Sequence, residues 1–320
     1  MVRVIGERGF YPKLFFCCFK SLLLPLSINY PIMNYQLTKS LGNNTFSYDQ
    51  RKQLGSDWAL MISQPCEISS LNQVQLGNFA VFEEVDHNGK LHSCTGLSHT
   101  YILKLDKLRH PPIIITDNHN HVLPYWLDYI SKCKIPAEFM SLHDISPFSE
   151  WPQCSIKVEE FDMRLIHIDQ HTDLWTNPHK LDHTQISDPQ YQWDFAHLEC
   201  DIGNFITPCI ESWLITNMIQ VRTEYKLNEI LKEQEIKIIQ KYKSSSFHFS
   251  PLILDIDLDF WAPEMWISDI QKTMSQVRSI MGRADLITIA TSPYFINQNL
   301  ALELLHQLLW PYLEFKNQKS

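Results

Sequence analysis

The chain has 320 residues, 44% of them hydrophobic, which is enough to bury the core of one large α/β domain. Its net charge of −9 argues against a nucleic-acid-binding surface. Eight cysteines (Cys17, Cys18, Cys66, Cys94, Cys133, Cys154, Cys200, Cys209) contain no CxxC pair. That pattern fits reduced cytoplasmic thiols better than a disulfide framework or a zinc knuckle.

Residues 14–28 are apolar apart from Lys20 and two serines, with basic residues upstream. The stretch lacks a clear cleavage site and is too short and broken to span a membrane. Residues 1–33 are expected to be a disordered extension or a mis-assigned start, with Met33 the alternative initiator. Residues 34–320 read as one domain, of which 34–110 form a strand-rich N-terminal elaboration. Within it, Asn88-Gly89 between residues 79–85 and 90–94 predicts a β-hairpin. From Ile113 the pattern becomes strand, loop, helix. Strands are expected at 113–116, 165–168, 252–257 and 286–290. Helices are expected at 125–133, 206–222, 224–243, 264–281 and 300–315, the last broken near Pro311. Alternating strands and helices imply an α/β fold with a mostly parallel sheet covered on both faces.

Polar clusters follow three of these strands: Asp117 to His121, Asp169 to Asp173, and Asp255 to Asp259. In such sheets the carboxyl ends of the strands are where ligands bind. Asp169-Gln170-His171-Thr172-Asp173 places metal-competent side chains on alternate residues, which share a face if the segment is extended. Carboxylates in buried strands need compensation for lost hydration. Taken singly, each cluster has a plainer reading: a loop histidine, a solvated acidic loop, or a phosphatase-type D-x-D strand end. Together they offer more donors than a four-coordinate structural zinc uses. Carboxylate-rich ligation with few histidines suits Mn²⁺, with Zn²⁺ or Fe²⁺ as alternatives. The surplus points to two metals bridged by carboxylates, an arrangement used for hydrolysis.

Asp169-Gln170-His171-Thr172-Asp173 resembles the D-A-H-x-D signature of the arginase/agmatinase (ureohydrolase) superfamily. The run from Pro251 to Asp259 is similar to its later strand ending in D-x-D, and Asp117-Asn118-His119 stands where that family carries G-G-D-H. The resemblance covers roughly residues 110–310. The strings around His119, His171 and Asp257 look most like its divergent peptide-arginase branch. The resemblance implies a three-layer arginase-like fold and two Mn²⁺ ions bridged by Asp169 and Asp257. His171 and Asp259 would complete one metal position. Asp173 and a first-cluster histidine would complete the other; strand-to-strand matching favours His119, with His121 left open. Asp255 would support the ligands from behind, although a one-step register shift would make it a ligand. Asp173 would orient the attacking water and pass its proton to the departing amine. His197 is the candidate proton shuttle, with a buried structural histidine as the alternative.

Two positions depart from the free-arginine enzymes. Trp175 replaces the asparagine that holds the substrate α-carboxylate, and an indole cannot make that contact. Ala290 falls where the family's guanidinium-binding glutamate is expected, so Glu199 or Asp201 is the candidate substitute. Trp175, Trp193, Phe205, Phe260 and Trp261 could line a peptide groove or simply pack. The implied partner is a peptide substrate, including a leader-bearing ribosomal precursor, whose arginine side chains become ornithine with release of urea. Neither nucleic acid nor membrane is expected, a cytoplasmic location is, and a homo-oligomer stays open. A related C–N hydrolase on an acylated amine, or an agmatine-like substrate, is the alternative.

Overall fold

The computed structural model describes residues 62–85, 88–104, 111–133, 163–241 and 251–317. The expectations for residues 1–33, for Met33 and for the hairpin tip at Asp86 and His87 lie outside the described residues. Nine strands are described: β1 (Pro65–Ile68), β2 (Leu76–Val85), β3 (Leu91–Leu97), β4 (Thr100–Leu103), β5 (Ile113–Thr116), β6 (Arg164–Ile168), β7 (Asn217–Val221), β8 (Leu252–Asp257) and β9 (Leu286–Ala290). Seven form one sheet in the order β1-β4-β5-β9-β8-β6-β7. From β5 to β7 every pairing is parallel; β4 runs antiparallel to β5, and β1 parallel to β4.

The central strands are short apolar runs because both their faces are buried. Ile113, Ile115, Ile166, Ile168, Leu254, Ile256, Ile287 and Ile289 face one core. Helices α4 (Glu224–Lys241), α5 (Ile270–Met281) and α6 (Gln298–Asn317) close it through Ile230, Val277 and Leu305. The alternate residues Ile114, Leu165, Ile253 and Leu286 face a second core under α1 (Leu123–Cys133) and α3 (Ile206–Glu211). A short α2 (Pro189–Asp194) continues into a π-helical turn, Phe195–Glu199, on that side. The pleat thus sorts one sequence pattern into three layers.

Three expected elements differ. The helix anticipated over 206–222 ends at Glu211; Trp213 takes a left-handed backbone (φ 55°), and β7 follows. Pairing with the open edge of β6 satisfies backbone groups there, which outweighs helix periodicity. Helix α5 begins at Ile270 rather than 264, capped by Asp269 accepting from the Lys272 N–H, after a left-handed Trp266 (φ 50°). Helix α6 runs through Pro311 without ending. Proline costs a helix one hydrogen bond, but Leu308, Leu309 and Tyr312 are buried on either side of it and hold the axis on the core.

The hairpin forms as expected, β2 against β3 with Gly89 at φ 77°. It sits apart from the main sheet but packs close to the end of β5. The Val81 carbonyl accepts from Asn118 Nδ2 at 2.8 Å, and Phe82 lies 5.0 Å from the Tyr294 ring. A Cβ at Gly96 would stand 2.7 Å from the Asp117 Cβ, so only glycine allows this approach. Among the described residues no helix is long and apolar enough to cross a membrane.

Ile287 pairs with neighbours on both sides and is fully buried. Ile287→Ala is expected to lower unfolding free energy by about 2–5 kcal/mol in denaturant titration.

Candidate metal centre

Strand register sets the site's floor. Asp257 pairs with Ala290 and Ala290 with Thr116, so β8, β9 and β5 end at one level. Beside them β6 ends at Ile168, paired with Ile256. The segments leaving these ends carry His119, Asp169 and Asp259.

Convergence at Asp169 to Asp173 does not come from an extended strand, as the alternation suggested. β6 stops at Ile168, and the Asp169 carboxylate accepts from the backbone N–H of His171, turning the chain. Asp173 then adopts a left-handed backbone (φ 51°), which aspartate tolerates better than most residues. Downstream the same device recurs: Asp257 Oδ1 accepts from the Asp259 N–H at 3.0 Å.

Asp169 is the hinge of the arrangement. Its Oδ2 lies 3.0 Å from His119 Nδ1, and its Oδ1 lies 3.4 Å from His171 Nδ1. On the first side, His119 Nδ1 is also 3.0 Å from Asp173 Oδ2 and 3.3 Å from Asp257 Oδ2. On the second, His171 Nδ1 is 3.0 Å from Asp259 Oδ2, which also accepts from Gln170 Nε2 at 2.9 Å. His171 is partly exposed and packs 4.3 Å from the Phe295 ring, while the donors around His119 are buried. His119 Nδ1, His167 Nε2, Asp169 Oδ2 and Asp173 Oδ2 are all buried without an aligned hydrogen bond. Such orphaned polar atoms are costly. A cation among them would offset that cost.

His119, His167 and Asp169 form one group able to hold a metal ion, and Asp169, His171 and Asp259 another. His167 is the member that sequence reasoning missed, as an apparently ordinary strand residue. Its signal is the pleat: His167 and Asp169 are two residues apart, while Ile166 and Ile168 belong to the opposite core.

Asp255 lies behind the donors. Its Oδ2 is 2.7 Å from His119 Nε2 and 2.8 Å from His167 Nδ1, and its Oδ1 accepts from Thr288 at 2.6 Å. The Thr288 hydroxyl in turn accepts from the Trp126 indole at 3.1 Å. Ser292, in a left-handed conformation, donates to Asp257 Oδ2.

The other sequence candidates sit differently. His121 turns to Asp117 Oδ1 at 2.8 Å, whose Oδ2 accepts from Ser63 at 2.6 Å, so His121 is not among the two donor groups. His197 packs 4.5 Å from the His121 ring and donates Nδ1–H to the Trp193 carbonyl at 2.7 Å. Burial holds the His197 imidazole well below its usual pKa, helped by His121. Glu199 pairs with His179 at 3.0 Å. Asp201 spends its two oxygens on the Gly203 N–H at 2.8 Å and Asn204 Nδ2 at 3.0 Å. Trp175 is 62% exposed, whereas Trp193, Phe205, Phe260 and Trp261 are buried.

Five aspartates in one buried volume repel one another. Burial and the Asp169 charge push Asp173 up to about 6. Burial, with Asp257 and Asp169, pushes Asp259 well above the usual carboxylate range, and burial raises Asp257. Burial opposes the charged forms of Asp169 and Asp255 too, but the surrounding histidines outweigh it and hold both low, Asp255 at about 2. Burial works to lower the His171 pKa, yet Asp169 and Asp259 carry it up to about 10; His119 is likewise raised, by Asp255, Asp169 and Asp173.

The chain matches no family model and no curated protein.

At pH 7 the metal-free His171 carries a proton that a bound ion must displace. Below about pH 6 Asp173 carries one as well. Adding Mn²⁺ in weak buffer at pH 7 should therefore release protons, and apparent affinity should fall as pH drops, most steeply below about 6. Proton uptake, read with an indicator dye, would contradict this donor set.

Proposed function

We propose that this chain is a dinuclear metal-dependent hydrolase of C–N bonds that converts arginine side chains in a peptide to ornithine and urea. The observation that carries the reading is Asp169, whose two oxygens face two separate histidine–aspartate groups. A carboxylate so divided is what a pair of ions sharing a bridge requires. The donor set fits such ions: oxygen-rich, buried, and with four orphaned polar atoms that need a cation. His119, Asp169, Asp173 and Asp257 would hold one ion, and Asp169, His171, Asp257 and Asp259 the other. Bound there, two Mn²⁺ ions would lower the pKa of a water and polarise the carbon it attacks.

The chain's own groups supply the rest. Asp173, its Oδ2 turned to the ion, would orient the attacking water and help pass its proton to the departing amine. Asp255 keeps His119 oriented through Nε2, and Gln170 steadies Asp259. His197, kept neutral by burial, commits its Nδ1–H to the Trp193 carbonyl and packs on the His121 ring, which fixes the imidazole proposed as the proton shuttle. Exposed Trp175 offers an apolar face, not an anion partner, next to the cluster in sequence. That favours an arginine whose carboxylate is already in a peptide bond.

A second reading rests on Ala290. It closes β9 level with Asp257, where guanidinium recognition would want a carboxylate. Asp201 is held within its own turn and Glu199 pairs with His179. An acylated amine, which needs no such fork, is therefore the alternative substrate class.

With Mn²⁺, arginine-containing peptides are expected to lose about 42 Da per converted residue, the mass of cyanamide, by mass spectrometry. Free arginine should be turned over poorly. Asp173→Asn should reduce turnover by about 100-fold or more. Unchanged arginine peptides alongside deacetylated acetyl-lysine would select the second reading.

A further inference from the structure

The hydrogen-bond chain behind the donors fixes more than His119. An indole N–H only donates, so Thr288 accepts from Trp126 and turns its single hydrogen to Asp255 Oδ1. Asp255, fully buried, is then an acceptor at both oxygens. Its Oδ2 meets His119 Nε2 at 2.7 Å and His167 Nδ1 at 2.8 Å, so both nitrogens carry hydrogen. In neutral imidazoles that leaves His119 Nδ1 and His167 Nε2 as bare lone pairs. Both are buried, and neither makes an aligned hydrogen bond. They face the same oxygens: Asp169 Oδ2 at 3.0 and 3.4 Å, and Asp173 Oδ2 at 3.0 and 3.9 Å. Ligand atoms about 2.1 Å from a common metal stand about 3 to 3.5 Å from their neighbours.

We propose that His167 is a second imidazole ligand of the ion held by His119, and that Asp255 is the one carboxylate that sets the tautomer of both. This rests on the two-metal reading above but does not depend on the substrate. The two positions then differ in kind. The buried one offers two imidazoles, whereas the position at His171 offers one. A nitrogen-richer, more enclosed site favours Zn²⁺, Fe²⁺ or Co²⁺ over Mn²⁺ more than its neighbour does.

His167→Asn separates ligand from prop. The asparagine amide nitrogen stands near the place of Nδ1, so it can still donate to Asp255, while the Nε2 donor is gone. Calorimetric titration of the full chain with Zn²⁺ and, separately, with Mn²⁺ should show two ions in the wild type. In H167N, Zn²⁺ affinity at one position should fall by more than about 100-fold and Mn²⁺ affinity by clearly less. Equal losses for the two metals, or no loss, would overturn the proposal. Should H167N fail to fold by circular dichroism, H171A decides the matter, because it leaves only the buried position. Pulsed electron paramagnetic resonance of H171A with one equivalent of Mn²⁺ should detect two coordinated imidazoles, and one would overturn the proposal. A wild type that binds no divalent ion overturns the two-metal reading and this proposal together. Two imidazoles on the metal without hydrolysis of arginine peptides leaves this proposal standing and removes only the substrate.

Discussion

The buried carboxylate of Asp255 is the constraint on which the centre depends. It accepts three hydrogen bonds, from two histidines and a threonine, with no exposure to water. Burial alone would favour its neutral form, yet the two imidazoles hold it ionised. The exchange is mutual. The carboxylate orients both rings, and the rings supply the positive character that makes a buried anion tolerable. Removing it would leave two imidazoles free to choose tautomers and rotate, and the donors in front would lose their aim.

The sheet makes this arrangement economical. His167, Asp255 and Thr288 occupy one level on three adjacent strands, in register and on one face. One residue row below, Leu165 is level with Ile253 and Ile253 with Leu286, all in a dry core. One row above, Asp257 and the chain leaving β6 carry the metal-competent groups. The face therefore passes from apolar floor to polar support to metal-competent groups within a few residues of strand. The support is rigid because it belongs to paired strands rather than to loops.

Much of this was legible in the chain, for identifiable reasons. Strands β5, β6 and β8 announce themselves as apolar runs ending in acid, and β9 as an apolar run alone, because central parallel strands are largely apolar until they reach the site. Asp169, His171, Asp257 and Asp259 were readable from spacing. The spacing picked out residues that do converge, but by another geometry: a carboxylate-capped turn, not a pleat, brings them together. His167 was hidden because one histidine in an apolar run resembles ordinary strand interior until its pairing with Asp255 is known. The choice between His119 and His121 was equally beyond local pattern, since it depends on Asp117 claiming His121. Strand β7 and the course of α6 through Pro311 were set by what lay beside them, an open sheet edge and a core to cover.

The turn at Asp169 and its counterpart at Asp257 have a further bearing on how the protein folds. His119 and Asp255 are 136 residues apart in the chain, and His167 and Asp255 are 88 apart. No contiguous peptide contains the centre, so loop closure must be completed and the strands paired before the donors meet. Until then the acids are scattered and hydrated; afterwards they are crowded and repelling. A divalent ion that recognises only the assembled set relieves that crowding in the native state alone. At a hundredfold excess over its dissociation constant it would draw the folding equilibrium toward the native chain by about 2.7 kcal/mol. The negative charge gathered at the strand ends is thus a folding liability that a bound divalent ion would convert into stability.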